Sequence, residues 1–246
     1  MKRLIAAAVC LPLSALAEEP VVEEQTAFVE ANLLAIFYHE MAHAVIDLME
    51  IPIYGQEEDA ADTMAVLLID ALYEEEVAQG IAYDSAFGYI NDPDGTEEVA
   101  YWDLHGPDEQ RYFNHVCLFY GAAPEDREEL AEDLGLPPER AVSCSEEYEQ
   151  AIDSWGQIFD ELEDGKGGSS FTLRPAAENE PARIRPLIEQ EVAALNRDFA
   201  LPTPVEVRIE ACDEANAFYD PESVSITLCT EFEPYLDELF QKLDLD

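Results

Sequence analysis

Two histidines four residues apart, with a glutamate beside the first, carry the clearest chemistry in this 246-residue chain: His39, Glu40 and His43, within FYHEMAHAVIDLMEIPIYGQEEDAAD at residues 37–62. On a helix, residues four apart share a face, so both imidazoles can address one cation while Glu40 stands beside them as a general base. Two nitrogen ligands leave the site unfinished. A structural zinc would take two further Cys or His ligands, whereas a catalytic zinc takes one more protein ligand and keeps a position for water. Glu58, which opens a Glu-x-x-Ala-Asp sequence ending at Asp62, is the expected third ligand, with the adjacent Glu57 as its competitor. Only Glu58 has an aspartate four residues on. It also falls in the first turn of an expected helix, where the backbone dipole favours the ionised carboxylate that a zinc ligand must be. Asp62, one turn later on the same face, can accept the outer N–H of a zinc-bound imidazole and fix its tautomer.

Hydrolysis at such a centre needs a group facing the base to stabilise the oxyanion, usually His, Tyr or Arg. The polar stretch DLHGPDEQRYFNHVCLFYG, residues 103–121, offers His105 first, in a loop able to reach a cleft, with Arg111, Tyr112 and His115 as alternatives. His115 lies two residues before Cys117 in an apolar helical pattern and reads as a packed residue rather than a reactive one.

The elements that must position these groups are mainly helical. From Thr26 to Leu48 apolar residues cover most of the helix circumference, which predicts a helix in the interior. Its polar exceptions are Asn32, His39, Glu40, His43 and Asp47, and residues 39, 43 and 47 form one stripe. A solvent-facing stripe would more often be Lys, Gln and Glu than two of the four histidines in the chain. Pro52 and Gly55 break the pattern, and a second helix is expected from Glu57 to Leu72. Further helices are expected over 124–133, 137–155, within 175–195, and over 232–243. Turn signals occupy 91–95, and DGKGGSS at 164–170 reads as a flexible linker. Residues 204–211 and 223–228 alternate apolar and polar as strands do, and a C-terminal β-hairpin with its turn at 218–222 is expected. The fold class that follows is α+β, predominantly helical.

Residues 1–17 read as a secretory signal peptide: Lys2 and Arg3, an apolar run, then Ala15-Leu16-Ala17. The remainder, 18–246, is expected to be a single domain in a secreted or periplasmic protein with no membrane span. Cleavage would leave Cys117, Cys144, Cys212 and Cys229, and an even number in an exported chain points to disulfides. The sequence-local pairs Cys117–Cys144 and Cys212–Cys229 are favoured. The formal charge of −44 argues against nucleic acid and anionic lipid, both of which require clustered Lys and Arg. Its ordinary meaning is solubility, and it selects no substrate.

The segment from His39 to Asp62, DEQRYFNHVCLFYG, CSEEYEQAIDSW and the final CDEANAFYDPESVSITLC together resemble an exported bacterial metallopeptidase family long classed as a domain of unknown function. These blocks span most of the chain. The metal motif is also similar to that of the gluzincins, and the resemblance implies a zincin-like helix pair with zinc on His39, His43 and Glu58, Glu40 as base and Asp62 behind the ligands. It departs from the metzincins, which would place Gly at position 46 and His at 49, where this chain has Ile46 and Met49. A peptide or protein substrate is implied. Two other readings stay open: a non-enzymatic zinc-binding envelope protein, and a zinc amidase acting on a non-protein amide.

Overall fold

The structure is a computed structural model and describes residues 18–90, 99–164, 168–177 and 180–243. The expected signal peptide and the turn at 91–95 lie outside the described residues, as does the middle of the expected linker. Eight helices and four strands are present among the described residues: α1 (Glu18–Leu48), α2 (Glu57–Leu72), α3 (Glu75–Ala86), α4 (Asp108–Ala122), α5 (Glu128–Asp133), α6 (Pro138–Asp164), β1 (Phe171–Leu173), α7 (Ile184–Asp198), β2 (Val205–Glu210), β3 (Ala217–Asp220), β4 (Ser225–Cys229) and α8 (Phe232–Leu243). A 3-10 turn, Phe87–Tyr89, follows α3. The architecture is α+β and predominantly helical, and no described helix is long and apolar enough to cross a membrane.

Helix α1 is the axis of the molecule. Phe28, Leu33, Phe37, Tyr38, Met41 and Val45 are wholly buried, and they point in several directions because α1 packs against α2 and α3, against α7 and α8, and against β3 and β4. An all-round apolar surface therefore has a neighbour on each side. The helix begins at Glu18, earlier than the expected Thr26. Glu and Gln are good helix formers, and Gln25 is tied to Asp237 of α8 by a 2.7 Å hydrogen bond.

The C-terminal strands differ from the expected hairpin. β2 and β4 are neighbours but parallel, with Glu206 opposite Ser225 and Glu210 opposite Cys229. β1 extends the sheet parallel to β2, and β3 pairs antiparallel with β4, giving the order β1-β2-β4-β3. Residues 218–220, expected to begin a turn, belong instead to the strand β3. The reversal comes at 221–224, where the Asp220 carboxylate accepts from the Glu222 N–H at 2.9 Å and the Ser223 hydroxyl at 2.6 Å. The hairpin is thus β3–β4, and β3, on the sheet edge, lies against α1.

Both favoured disulfides are formed. Cys117–Cys144 joins α4 to α6, and Cys212–Cys229 pins the exit of β2 to the end of β4.

Candidate metal centre

Helix α1 ends in a tight reversal that brings α2 back alongside it. The Ile51 N–H bonds the Ile46 carbonyl at 2.9 Å and the Glu50 N–H bonds the Asp47 carbonyl at 3.2 Å, while Glu50 takes the left-handed conformation, φ 54°. This is the six-to-one, five-to-two pattern that closes helix C-termini. After Pro52, α2 starts with Glu57 and Glu58 facing the histidines.

His39 Nε2, His43 Nε2 and Glu58 Oε2 form an equal-sided triangle, each pair 3.2 Å apart. Ligands about 2.0 Å from a tetrahedral metal lie about 3.3 Å from one another, so these three atoms have the spacing of one face of a zinc coordination tetrahedron. The outer nitrogens are occupied. His39 Nδ1 is 2.8 Å from Asp62 Oδ1, and His43 Nδ1 is 2.8 Å from Glu57 Oε1. Carboxylates at both positions favour protons on Nδ1 and turn both Nε2 atoms inward, where a metal would displace any proton they carry. The donor set, two imidazoles and a carboxylate, suits zinc chemically.

The electrostatics follow from burial and partners. Burial alone would lower the pKa of His39, but hydrogen bonds to Asp62 and Glu58 outweigh it and push it up to about 9. Glu58 is held far below the usual carboxylate range by hydrogen bonds from His105, His39 and His43. Asp62 is also held down: burial opposes ionisation, but His39 and Arg111 stabilise the anion. Glu40, 6% exposed, shifts the other way. Its desolvation outweighs the nearby imidazoles and a backbone hydrogen bond from Tyr219, so its pKa is raised.

The structure gathers five of the expected site residues into one cluster, His39 and His43 around Glu58, Asp62 behind His39 and His105 against Glu58, with Glu40 beside them on α1. His105 arrives from the loop before α4, its Nε2 2.9 Å from Glu58 Oε2, and its ligand atom lies within 4.8 Å of those of His39 and Glu58. The alternatives to His105 are otherwise engaged. Arg111 donates to Asp62, the Tyr112 hydroxyl donates to the Leu134 carbonyl at 3.0 Å, and the buried His115 bonds the Ala82 carbonyl at 2.9 Å. Glu57, the rival ligand, stands behind His43. Sequence reasoning missed Tyr89, whose hydroxyl is 3.4 Å from Asp62, and Tyr219, whose hydroxyl donates to Asp47 at 2.8 Å. Neither has a sequence signal, since both reach the site through tertiary contacts alone.

Searches of curated proteins and of solved structures found no match. A family model described as "Putative metallopeptidase" matches residues 13–159 and 178–245, which takes in α1, α2, α4 and all of β2, β3 and β4. With both helices of the His39–His43–Glu58 cluster and the strand beside Glu40 inside a match over most of its length, the chain belongs to this metallopeptidase family.

Proposed function

We propose that the protein is an exported zinc-dependent peptidase of the gluzincin kind, with zinc held by His39, His43 and Glu58. The observation that carries this reading is the equal-sided 3.2 Å triangle of Nε2, Nε2 and Oε2 atoms, with a carboxylate behind each imidazole. A zinc ion held by these three side chains would supply Lewis acidity for hydrolysis of a peptide bond. Glu40, with its pKa raised by burial, is suited to take a proton from an attacking water and deliver it to the leaving amine. His105, on the rim, supplies the donor for the oxyanion. Export is supported by the leader-like start and the two disulfides.

One observation favours a second reading, a non-catalytic zinc-binding envelope protein. His105 offers a ligand atom within 4.8 Å of those of His39 and Glu58, and as a further protein ligand it would close the site to water.

Elemental analysis beside peptide hydrolysis followed by mass spectrometry tests both readings. About one zinc per wild-type chain is expected, lost in His39→Ala. Glu40→Gln should keep the metal and lose about 10²- to 10⁴-fold in turnover. Wild-type rates in Glu40→Gln would remove Glu40 from the mechanism. No metal in the wild type after zinc is supplied would end the hydrolase reading, and His105→Ala that gains activity would favour the closed site.

A further inference from the structure

Asp62 is held from two sides. One oxygen faces His39 Nδ1 at 2.8 Å, while Arg111 grips the carboxylate with both prongs of its fork, Nε to Oδ2 at 2.8 Å and Nη2 to Oδ1 at 2.9 Å. The guanidinium lies 4.8 Å over the ring of Tyr89, whose hydroxyl reaches Asp62 Oδ1 at 3.4 Å. Four separate elements meet here: His39 from α1, Asp62 from α2, Tyr89 from the 3-10 turn after α3, and Arg111 from the first turn of α4. The side chains of His39, Arg111 and Asp62 are only 5%, 14% and 18% exposed, so water does little of the holding.

We propose that Arg111, braced against Tyr89, is a positioning residue that sets the metal affinity of the centre by fixing the carboxylate of Asp62 against His39. This rests on the reading of His39 as a ligand. A carboxylate with one partner can swing about its last torsion, and the imidazole bonded to it swings too. A planar fork bonded to both oxygens removes that freedom and fixes the plane of the acceptor, hence the ring of His39 and the direction of its Nε2. Lysine could supply the charge but not the fork. The two metal histidines are therefore held unequally. Behind His43 stands Glu57, a side chain 51% exposed, whose grip on the imidazole is shared with solvent. Loss of Arg111 should consequently cost more metal affinity than loss of Glu57, although Arg111 touches neither histidine.

The test is zinc affinity by competition with a chromogenic chelator, in wild type, Arg111→Lys, Arg111→Gln, Glu57→Gln, Asp62→Asn and the double variant Arg111→Gln/Asp62→Asn. Urea unfolding of each metal-free variant reports folding separately. Arg111→Gln is expected to weaken zinc binding about 10- to 100-fold, the usual effect of losing a group behind a ligand, with Arg111→Lys recovering only part and Glu57→Gln losing less. In the Asp62→Asn background, Arg111→Gln should add almost nothing, because its effect passes through that carboxylate. Should Arg111→Gln fail to fold, Arg111→Lys carries the comparison. Wild type that binds zinc while folded Arg111 variants match it overturns this inference alone, as do losses that multiply in the double variant. Wild type that binds none overturns the zinc reading and this inference with it.

Discussion

Glu57 and Glu58 are adjacent, chemically identical and differently employed. One residue of helix turns the side chain by about 100°, enough to put Glu58 at the inner nitrogens of both histidines and Glu57 at the outer nitrogen of one. Residue-scale effects of this kind come from surroundings, and Asp84 makes a testable case away from the His39–His43–Glu58 cluster. Burial, reinforced by the charge of Glu24, pushes its pKa up to about 6. An acid whose folded pKa exceeds its unfolded value near 3.9 destabilises the fold only when ionised. The penalty is absent below about pH 4, grows between pH 4 and 6, and is complete above about pH 6. Asp84→Asn should therefore stabilise the protein by about 2 to 3 kcal/mol at pH 7 and leave it unchanged near pH 3.5. Urea unfolding at the two pH values checks this, and an equal gain at both would mean that ionisation is not the cause. The triad of His39, His43 and Glu58 was legible in the sequence because its members lie on two consecutive helices with local spacing. The partnerships of Arg111 with Asp62 and of Tyr219 with Asp47 were not, since they join residues 49 and 172 positions apart.

At the scale of elements, α1 and α5 end with the same hydrogen-bond pattern but different residues. In α5 the left-handed position is Gly135, φ 67°, with Leu136 N–H on the Ala131 carbonyl at 2.9 Å. In α1 it is Glu50, φ 54°, which carries a side chain into a region that costs a non-glycine residue on the order of 1 kcal/mol. Glu50→Gly should relieve that strain, partly offset by the greater freedom of glycine in the unfolded chain, and stabilise the protein by about 0.5 to 1 kcal/mol. A lower urea midpoint in the variant would show that the Glu50 side chain makes a compensating contribution. Elements read from local pattern were recovered well: α2 and α8 span the expected 57–72 and 232–243. The sheet was not, because alternation marks a strand without saying whether its neighbour runs parallel. Nor does sequence show how closely helices approach. A Cβ on Gly121 would sit 2.2 Å from the Cys144 carbonyl oxygen, and this contact between α4 and α6 lies beside their disulfide.

The whole molecule must hold together 56 acidic residues with 12 basic ones. Among the described residues, seven arginines are committed to ion pairs, Arg111 and Arg127 in buried or half-buried networks and Arg140, Arg174, Arg183, Arg185 and Arg208 nearer the surface. Little cationic charge remains to offset the other carboxylates, so like-charge repulsion acts over the folded surface and weakens on unfolding as the charges separate. Two covalent ties oppose it. Closing loops of 27 and 17 residues, they contribute about 3 kcal/mol each through the unfolded chain. Salt should act in the same direction. Raising the ionic strength from about 0.01 M to about 1 M shortens the screening length from about 30 Å to about 3 Å, which suppresses repulsion between separated carboxylates but leaves contacts at hydrogen-bond distance largely intact. The melting temperature, followed by circular dichroism with the disulfides intact and chelator present so that metal plays no part, is therefore expected to rise by several degrees with NaCl, and equally with KCl. A fall would mean that the arginine pairs outweigh the repulsion, and that the excess of acid stabilises this fold through local partners instead of straining it.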